Sequence, residues 1–426
     1  MSASAAATPP AVKERDPLHV LAVLARRKGD IFVYTTGHPQ SFLVNRPEWV
    51  RHVLVDGADR YSKDTPINSG FAETIAHGLL NSEGAVWRRQ RSLMQPAFAR
   101  RYLPTIASVV DREVERMVDS WPHSNGHIDI DLHAETTKLL FRITSIALFS
   151  VDPRPWDGRL TMPILTEGLP VLTDGTQYKF RVAQHAIWSV AENIVAQRLV
   201  ARRAFDDLLG RLINSGSDDA AFDALRGHVV NMALSGYETT ASVVTWAMYT
   251  LAQSPRIVST IREQIDAVTA GRRLTLEHLA LLPYLTATVK ETMRLYPPAW
   301  IIGRRALHAD VIGGVEIPVN SVVAISPYTM HRHPRYWHDP DTFDPVRFMG
   351  DDPDREKQPF TYIPFGAGPR TCIGTNFAQV EAPLIIGQLL QRFDAEVLND
   401  APVEPRGVFV LVPSDRIHMR LRTRPV

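Results

Sequence analysis

Between residues 47 and 295 apolar positions recur at the three- and four-residue spacing of amphipathic helices. Breaks fall at Asn81-Ser82-Glu83-Gly84, Pro122 to Gly126, Pro153 to Gly158 and Ser215 to Asp219. A first helix is predicted near Pro17 to Lys28. It precedes two β-branched and aromatic runs, Ile31-Phe32-Val33-Tyr34-Thr35 and Ser41-Phe42-Leu43-Val44, which Gly37-His38-Pro39 joins as a hairpin. Phe222 to Gln253 reads as one helix of about 45 Å at 1.5 Å per residue. After Pro297-Pro298 the pattern changes to short strands, Val311 to Ile317 and Ser321 to Ser326, and then to an irregular stretch. A final apolar-periodic helix follows residue 372, and Val408 to Leu421 is strand-like again. The first 15 residues, rich in Ala, Ser and Pro, are predicted to be disordered, with residues 16–426 forming one domain.

Composition narrows this picture. The 426-residue chain is 45% hydrophobic, enough for a sizeable core, and 47 Lys and Arg balance 46 Asp and Glu, which argues against a nucleic-acid partner. A single cysteine excludes an intrachain disulfide framework, and no paired Cys/His spacing of a structural zinc site is present. No apolar run reaches the length of a signal peptide or membrane span, so the reading is a cytoplasmic protein without a membrane anchor, expected to be a monomer.

The cysteine itself carries the chemistry. Cys372 sits in Phe365-Gly366-Ala367-Gly368-Pro369-Arg370-Thr371-Cys372-Ile373-Gly374, a glycine-rich bend running into a helix. Unpaired N–H groups and the positive end of the helix dipole are expected to favour the ionised sulfur. Glycines let a flat macrocycle lie against backbone, and Arg370 is placed to reach an anionic substituent of it. These residues reproduce Phe-x-x-Gly-x-Arg-x-Cys-x-Gly, and the chain resembles the cytochrome P450 haem-thiolate monooxygenases. The resemblance implies a mainly α fold with small β-sheets, a triangular helical prism whose long central helix crosses the haem. It makes Cys372 the iron ligand, sets Phe365 beside the sulfur and Gly374 at the ring, and pairs Arg370 with a propionate. An anionic sulfur pushes electron density into iron and favours O–O cleavage.

Three further motifs stand in the family's order. Ser235-Gly236-Tyr237-Glu238-Thr239-Thr240 lies at the centre of the long helix, where glycine and hydroxyl residues weaken the ladder and a groove or kink is expected. The resemblance makes Glu238 and Thr239 the proton-delivering pair, whereas Ser235 stands where alanine or glycine is usual. Trp87 and Arg91, at i and i+4, are assigned to a propionate, while Arg88 and Arg89 are expected to face solvent. With Arg100 and Arg101 these form a basic patch for an acidic redox partner. Arg304, rather than adjacent Arg305, is assigned to a second propionate contact. The resemblance further implies that Glu291 and Arg294, at i and i+3, join Arg347 of Asp344-Pro345-Val346-Arg347-Phe348 in a buried network supporting the core.

The substrate pocket is expected from residues 62–80, 162–185, Asn231, Leu234, Ser235, Ala299 to Ile302 and Val408 to Leu411. Trp300, Ile301, Ile302 and Phe409 make it apolar, suited to a lipophilic ligand. His331-Arg332-His333 is not read as a metal site, because neighbours on an extended segment face apart. Gly366-Ala367-Gly368 lacks the strand, helix and acidic partner of a dinucleotide loop, and no His/Asn arrangement marks Cys372 as a hydrolase nucleophile.

The resemblance thus implies a monooxygenase using haem b (iron protoporphyrin IX) and O2. Electrons are expected from NAD(P)H through a ferredoxin or flavodoxin and its reductase. Hydroxylation or epoxidation of a natural product is the expected outcome. The alternatives are oxidative coupling or desaturation by the same oxidant, and a non-catalytic ligand or gas sensor.

Overall fold

The structure, a computed structural model, describes residues 16–35, 39–65, 78–122, 126–156, 176–201, 204–350 and 358–424, with the side chains of 156 and 176–184 excluded. The predicted N-terminal disorder, the Gly37-His38 turn and most of the pocket segments 62–80 and 162–185 lie outside these residues.

Helix α1 (Pro17–Lys28) starts where Asp16 caps the backbone N–H of Leu18 at 3.1 Å and proline occupies the first turn. The helical body follows in α2 (Gly84–Met94), α3 (Leu103–Ser120), α4 (Leu132–Phe149), α5 (Thr176–Val200), α6 (Phe222–Ala252), α7 (Pro255–Thr269), α8 (Pro283–Leu295) and α9 (Thr375–Arg392). One five-stranded sheet has the order β1 (Ile31–Thr35), β2 (Ser41–Val44), β8 (Val322–Ile325), β5 (Ile302–Ala306), β3 (Tyr61–Ser62). Its β2 and β8 are parallel and its other pairs antiparallel. A second sheet sets β12 (His418–Thr423) between β4 (His127–Asp131) and β9 (Phe393–Val397). A separate hairpin joins β10 (Pro405–Gly407) to β11 (Leu411–Pro413).

The run Val311 to Ile317 is not one strand. It folds into a hairpin of β6 (Asp310–Ile312) and β7 (Val315–Ile317), because Gly313 and Gly314 both take positive φ, 58° and 81°. Likewise Val408 to Leu421 divides between β11 and β12.

Helix α6 runs through the core, with Tyr237 and Trp246 among its largest fully buried side chains. The Ser-Gly-Thr cluster does not interrupt it. Ser235 Oγ donates to the Asn231 carbonyl, Thr239 Oγ1 to the Ser235 carbonyl at 2.8 Å and Thr240 Oγ1 to the Gly236 carbonyl at 3.3 Å, so the hydroxyls turn back along the ladder. At Gly236 a Cβ would stand 2.9 Å from Thr144 Cγ2 of α4, so the glycine lets α4 pack close against α6 and does not open the expected groove on that side.

Beneath the cysteine segment lies a second buried device. Glu291 and Arg294, neither exposed, pair through two contacts of 2.7 and 2.8 Å. Arg294 also donates to the carbonyls of His331 (2.9 Å), Pro340 (2.6 Å) and Thr342 (3.0 Å), and Glu291 accepts from the Asp344 N–H at 2.8 Å. Arg347 approaches Glu291 at 3.5 Å and donates to the Asp339 carbonyl at 2.9 Å. The three charges predicted to meet therefore do meet, and they tie α8 to the 331–347 loop.

His331 belongs to this device. The segment is a turn after a short helix, not extended, yet the two rings still diverge: His331 is fully buried and His333 contacts Asp30 at 2.9 Å. His331 Nε2 accepts from the Ile363 N–H at 2.9 Å. Burial, reinforced by adjacent Arg294, pushes its pKa down to about 3. Since the unfolded histidine takes up a proton near pH 6.5, stability present above that pH is lost as pH falls toward 3. The loss is on the order of 5 kcal/mol, and thermal midpoints across that window should show it, with His331→Gln flattening the dependence.

Candidate active site

A cavity of about 1180 Å³ opens between α6, α9, β5 and the segment 364–374. It exceeds the roughly 300–1,000 Å³ usual for one small ligand, leaving room for a large cofactor and a second molecule.

Its floor is the cysteine loop. The Cys372 N–H donates to the Phe365 carbonyl at 3.0 Å, folding the loop back on itself. Gly368 has φ of 68°, and a Cβ there would collide with the Leu54 carbonyl, so glycine is required. Cys372, Phe365 and Gly374 all line the cavity. The Cys372 surface opens into it while the surrounding protein desolvates the sulfur and pushes its pKa up. The Gly374 N–H, the Thr375 hydroxyl and Arg91 pull the other way without prevailing. The helix-end groups thus act on the sulfur in the expected sense, and burial opposes them. A bound metal cation deprotonates such a ligand outright.

Four cations crowd one side. Arg91 of α2 donates to the Thr371 carbonyl at 2.9 Å. Arg370 stacks on the Trp87 ring at 4.0 Å and lies 3.0 Å from Glu83, and its Nη1 is buried without a partner among the described residues. Arg304 is 8% exposed, its pKa pushed down to about 10 by burial and by Arg370. Lys63 donates to the Leu80 carbonyl, and its pKa is pushed down to about 7 by burial, with Arg304 and Arg370 adding to the effect. Glu83 is the anion near this group, joined to Arg370 and, at 2.7 Å, to the Lys63 N–H. So much desolvated positive charge fits a ligand with two carboxylates. Arg305 points elsewhere, to Asp64 at 2.8 Å and Asn320 at 3.1 Å. Arg89 does not simply face solvent but bonds Asp219 at 2.8 Å. Lys63 and Glu83 were missed from sequence; neither lies in a recognisable motif.

The roof is apolar. Met232 and Val243 of α6 face Trp300, Ile301, Ile302 and Phe409, and Trp300 is fixed by a 2.8 Å bond from its indole N–H to the Val408 carbonyl. Ser235 and Thr239 also line it. Asn231 and Leu234, expected in the pocket, are buried on other faces of α6 and do not line it. Glu238 also points away. It is 5% exposed, burial pushes its pKa up to about 7, and its hydrogen bond with Tyr237 only partly offsets this.

A cysteine sulfur open to the cavity, desolvated cations suited to two carboxylates and an apolar roof fit what a haem-thiolate protein requires. The cytochrome P450 family model matches residues 9–153 and 163–420. Cyclooctatin synthase of Streptomyces melanosporofaciens is 32% identical, covering 92% of this chain and 88% of that protein. Pentalenene oxygenase of Streptomyces avermitilis is 28% identical, covering 96% and 94%. Among solved structures, retinoic acid bound cyanobacterial CYP120A1 superposes with a TM-score of 0.85 at 22% identity, over 94% of this chain and 93% of that one. The chain belongs to the cytochrome P450 family, with its fold. It is an oxidoreductase of the monooxygenase class that works with haem, O2 and electrons from a redox partner. No helix among the described residues is long and apolar enough to cross a membrane.

The cation cluster makes a prediction. Arg304→Leu removes a charged hydrogen-bond donor worth about 1.5–3 kcal/mol, so haem should transfer to apomyoglobin at least about tenfold more readily. Arg305→Leu, removing a side chain that faces Asp64, should leave transfer unchanged.

Proposed function

We propose that the protein inserts one atom of O2 into a lipophilic, polycyclic substrate of terpenoid type, by hydroxylation or epoxidation. The apolar roof facing Cys372 is the observation that carries this reading. Relatives named cyclooctatin synthase, pentalenene oxygenase and cyclooctat-9-en-7-ol 5-monooxygenase support the substrate class.

Haem b, when bound, supplies the activation of O2 and the oxidising power. Cys372 would hold its iron, Phe365 and Gly374 would flank it, and Arg91, Arg304, Arg370 and Lys63, with Trp87 stacked on Arg370, would hold its propionates. Trp300, Ile301, Ile302 and Phe409 orient the substrate and exclude water. Thr239 commits its hydroxyl proton to the Ser235 carbonyl, which leaves its oxygen free to accept a hydrogen bond within the cavity. Glu238, protonated below about pH 7, holds the proton this side of the site needs. Electrons originate from NAD(P)H and arrive through a ferredoxin or flavodoxin and its reductase, docking near exposed Arg88, Arg100 and Arg101.

Turnover of pentalenene under isotopically labelled O2 tests the reading. The predicted product carries one labelled oxygen atom; a desaturated or coupled product without label contradicts it. Glu238→Gln and Thr239→Ala should each lower product per electron by about 10²-fold, with peroxide formed instead. Because the Glu238 pKa is raised, its proton-carrying form is lost as pH rises through about 7. Coupling should decline across that range in the native enzyme and lose the dependence in Glu238→Gln.

A further inference from the structure

Helix α6 carries a polar flank beside its cavity face. At 3.6 residues per turn Asn231, Ser235 and Glu238 lie within about 60° of one another, and two turns, about 10.5 Å, separate the ends of the set. Both ends are incomplete. Asn231 is wholly buried and accepts from the Leu80 N–H at 3.1 Å, yet its Nδ2 has no partner among the described residues. Glu238 is buried with its Oε2 equally unpartnered. Between them Ser235 donates to the Asn231 carbonyl, so its oxygen remains an acceptor, and it lines the cavity as well as the flank.

Residues three and four apart on a helix hold their Cβ atoms about 5–6 Å apart, a gap one water molecule bridges. Buried polar atoms without protein partners are commonly satisfied by ordered water making two to four hydrogen bonds. Here an amide donor, a hydroxyl acceptor and a carboxyl follow one another at such spacings. The neighbouring 78–82 turn is shaped for the arrangement, since a Cβ on Gly78 would stand 2.7 Å from Asn231 Cγ.

We infer that Asn231 and Ser235 are positioning residues of the proton path: they hold water against the Glu238 carboxyl and join it to the cavity. A proton leaving Glu238 toward Ser235 and Thr239 leaves a carboxylate, which the water held at Asn231 reprotonates while that water takes up a proton from solvent, so the carboxyl and the water are both restored. Asn231, expected to touch substrate, thus serves the proton supply, and the hydroxyl of Ser235 gains a role. This inference rests on the reading of Glu238 and Thr239 as proton carriers.

Infrared spectroscopy of the haem-loaded protein below pH 7 tests it without substrate. Glu238→Gln identifies the C=O stretch of the protonated carboxyl. Ser235→Ala and Asn231→Leu are expected to move that band to higher frequency as it loses hydrogen-bond donors, whereas Ser235→Thr restores it. The solvent isotope effect on O2 consumption, driven by a surrogate ferredoxin and its reductase, should rise about twofold in Ser235→Ala and not in Ser235→Thr. Should Asn231→Leu fail to retain haem, the Ser235 pair decides. A Glu238 band unmoved by both variants, or no band removed by Glu238→Gln, overturns the inference. If instead Glu238→Gln leaves product per electron unchanged, the underlying assignment of Glu238 fails.

Discussion

Arg294→Ala is expected to yield a protein that retains little haem and unfolds at much lower denaturant concentration. Arg294 is fully buried, and its guanidinium meets Glu291 twice and three backbone carbonyls, in addition to lying 5.1 Å from the Trp337 ring centre. Removing it leaves the Glu291 carboxylate in a dry interior and three carbonyls without their donor. Breaking a buried ion pair costs about 3–5 kcal/mol, a large share of the roughly 5–15 kcal/mol that holds a domain folded. Lysine should not rescue the variant, because one ammonium cannot reproduce the planar fork. Arg347→Ala should be milder, since its contact with Glu291 is 3.5 Å and its remaining bond reaches a more exposed carbonyl. Urea midpoints with haem content per mole of protein would rank the two.

Cys372→Ser should abolish monooxygenase activity while the fold persists. The side chain opens into the cavity rather than packing in the core, so exchanging sulfur for oxygen costs little stability. What is lost is the soft, electron-rich ligand, which a neutral hydroxyl does not replace. Circular dichroism should match the native protein, whereas the haem spectrum should lose thiolate character and product formation should fall to background.

These two residues were legible in the sequence for different reasons. Cys372 was framed by glycines and Arg370, and the structure sets that frame, with Phe365, Cys372 and Gly374, along the cavity. Arg294 was visible through its i, i+3 partner and through the distant Pro345-Val346-Arg347-Phe348 segment. The long helix was also readable, because apolar spacing continued past a local cluster of weak helix formers.

What stayed hidden depended on contacts between segments remote in sequence. Lys63 and Glu83 follow a two-residue strand and a loop, with no periodicity to say that both turn toward Arg304 and Arg370. Asn231 was placed in the pocket by proximity along the helix, but the cavity face is centred on Met232, Thr239 and Val243, and Asn231 lies to its side. The helix-end groups act on the Cys372 thiol in the expected direction; the burial that opposes them is a tertiary property. The hairpin at Gly313-Gly314 did have a local signal, the paired glycines, outweighed in the strand reading by the β-branched residues around them.

The ligand of the iron is read from the carbon monoxide difference spectrum of the reduced, haem-loaded protein. A strongly red-shifted Soret band, the signature of haem held by an anionic sulfur, is expected in the native protein and its absence in Cys372→Ser. A native band at the position of histidine or protonated-thiol ligation would contradict the assignment of Cys372 and the proposed mechanism with it.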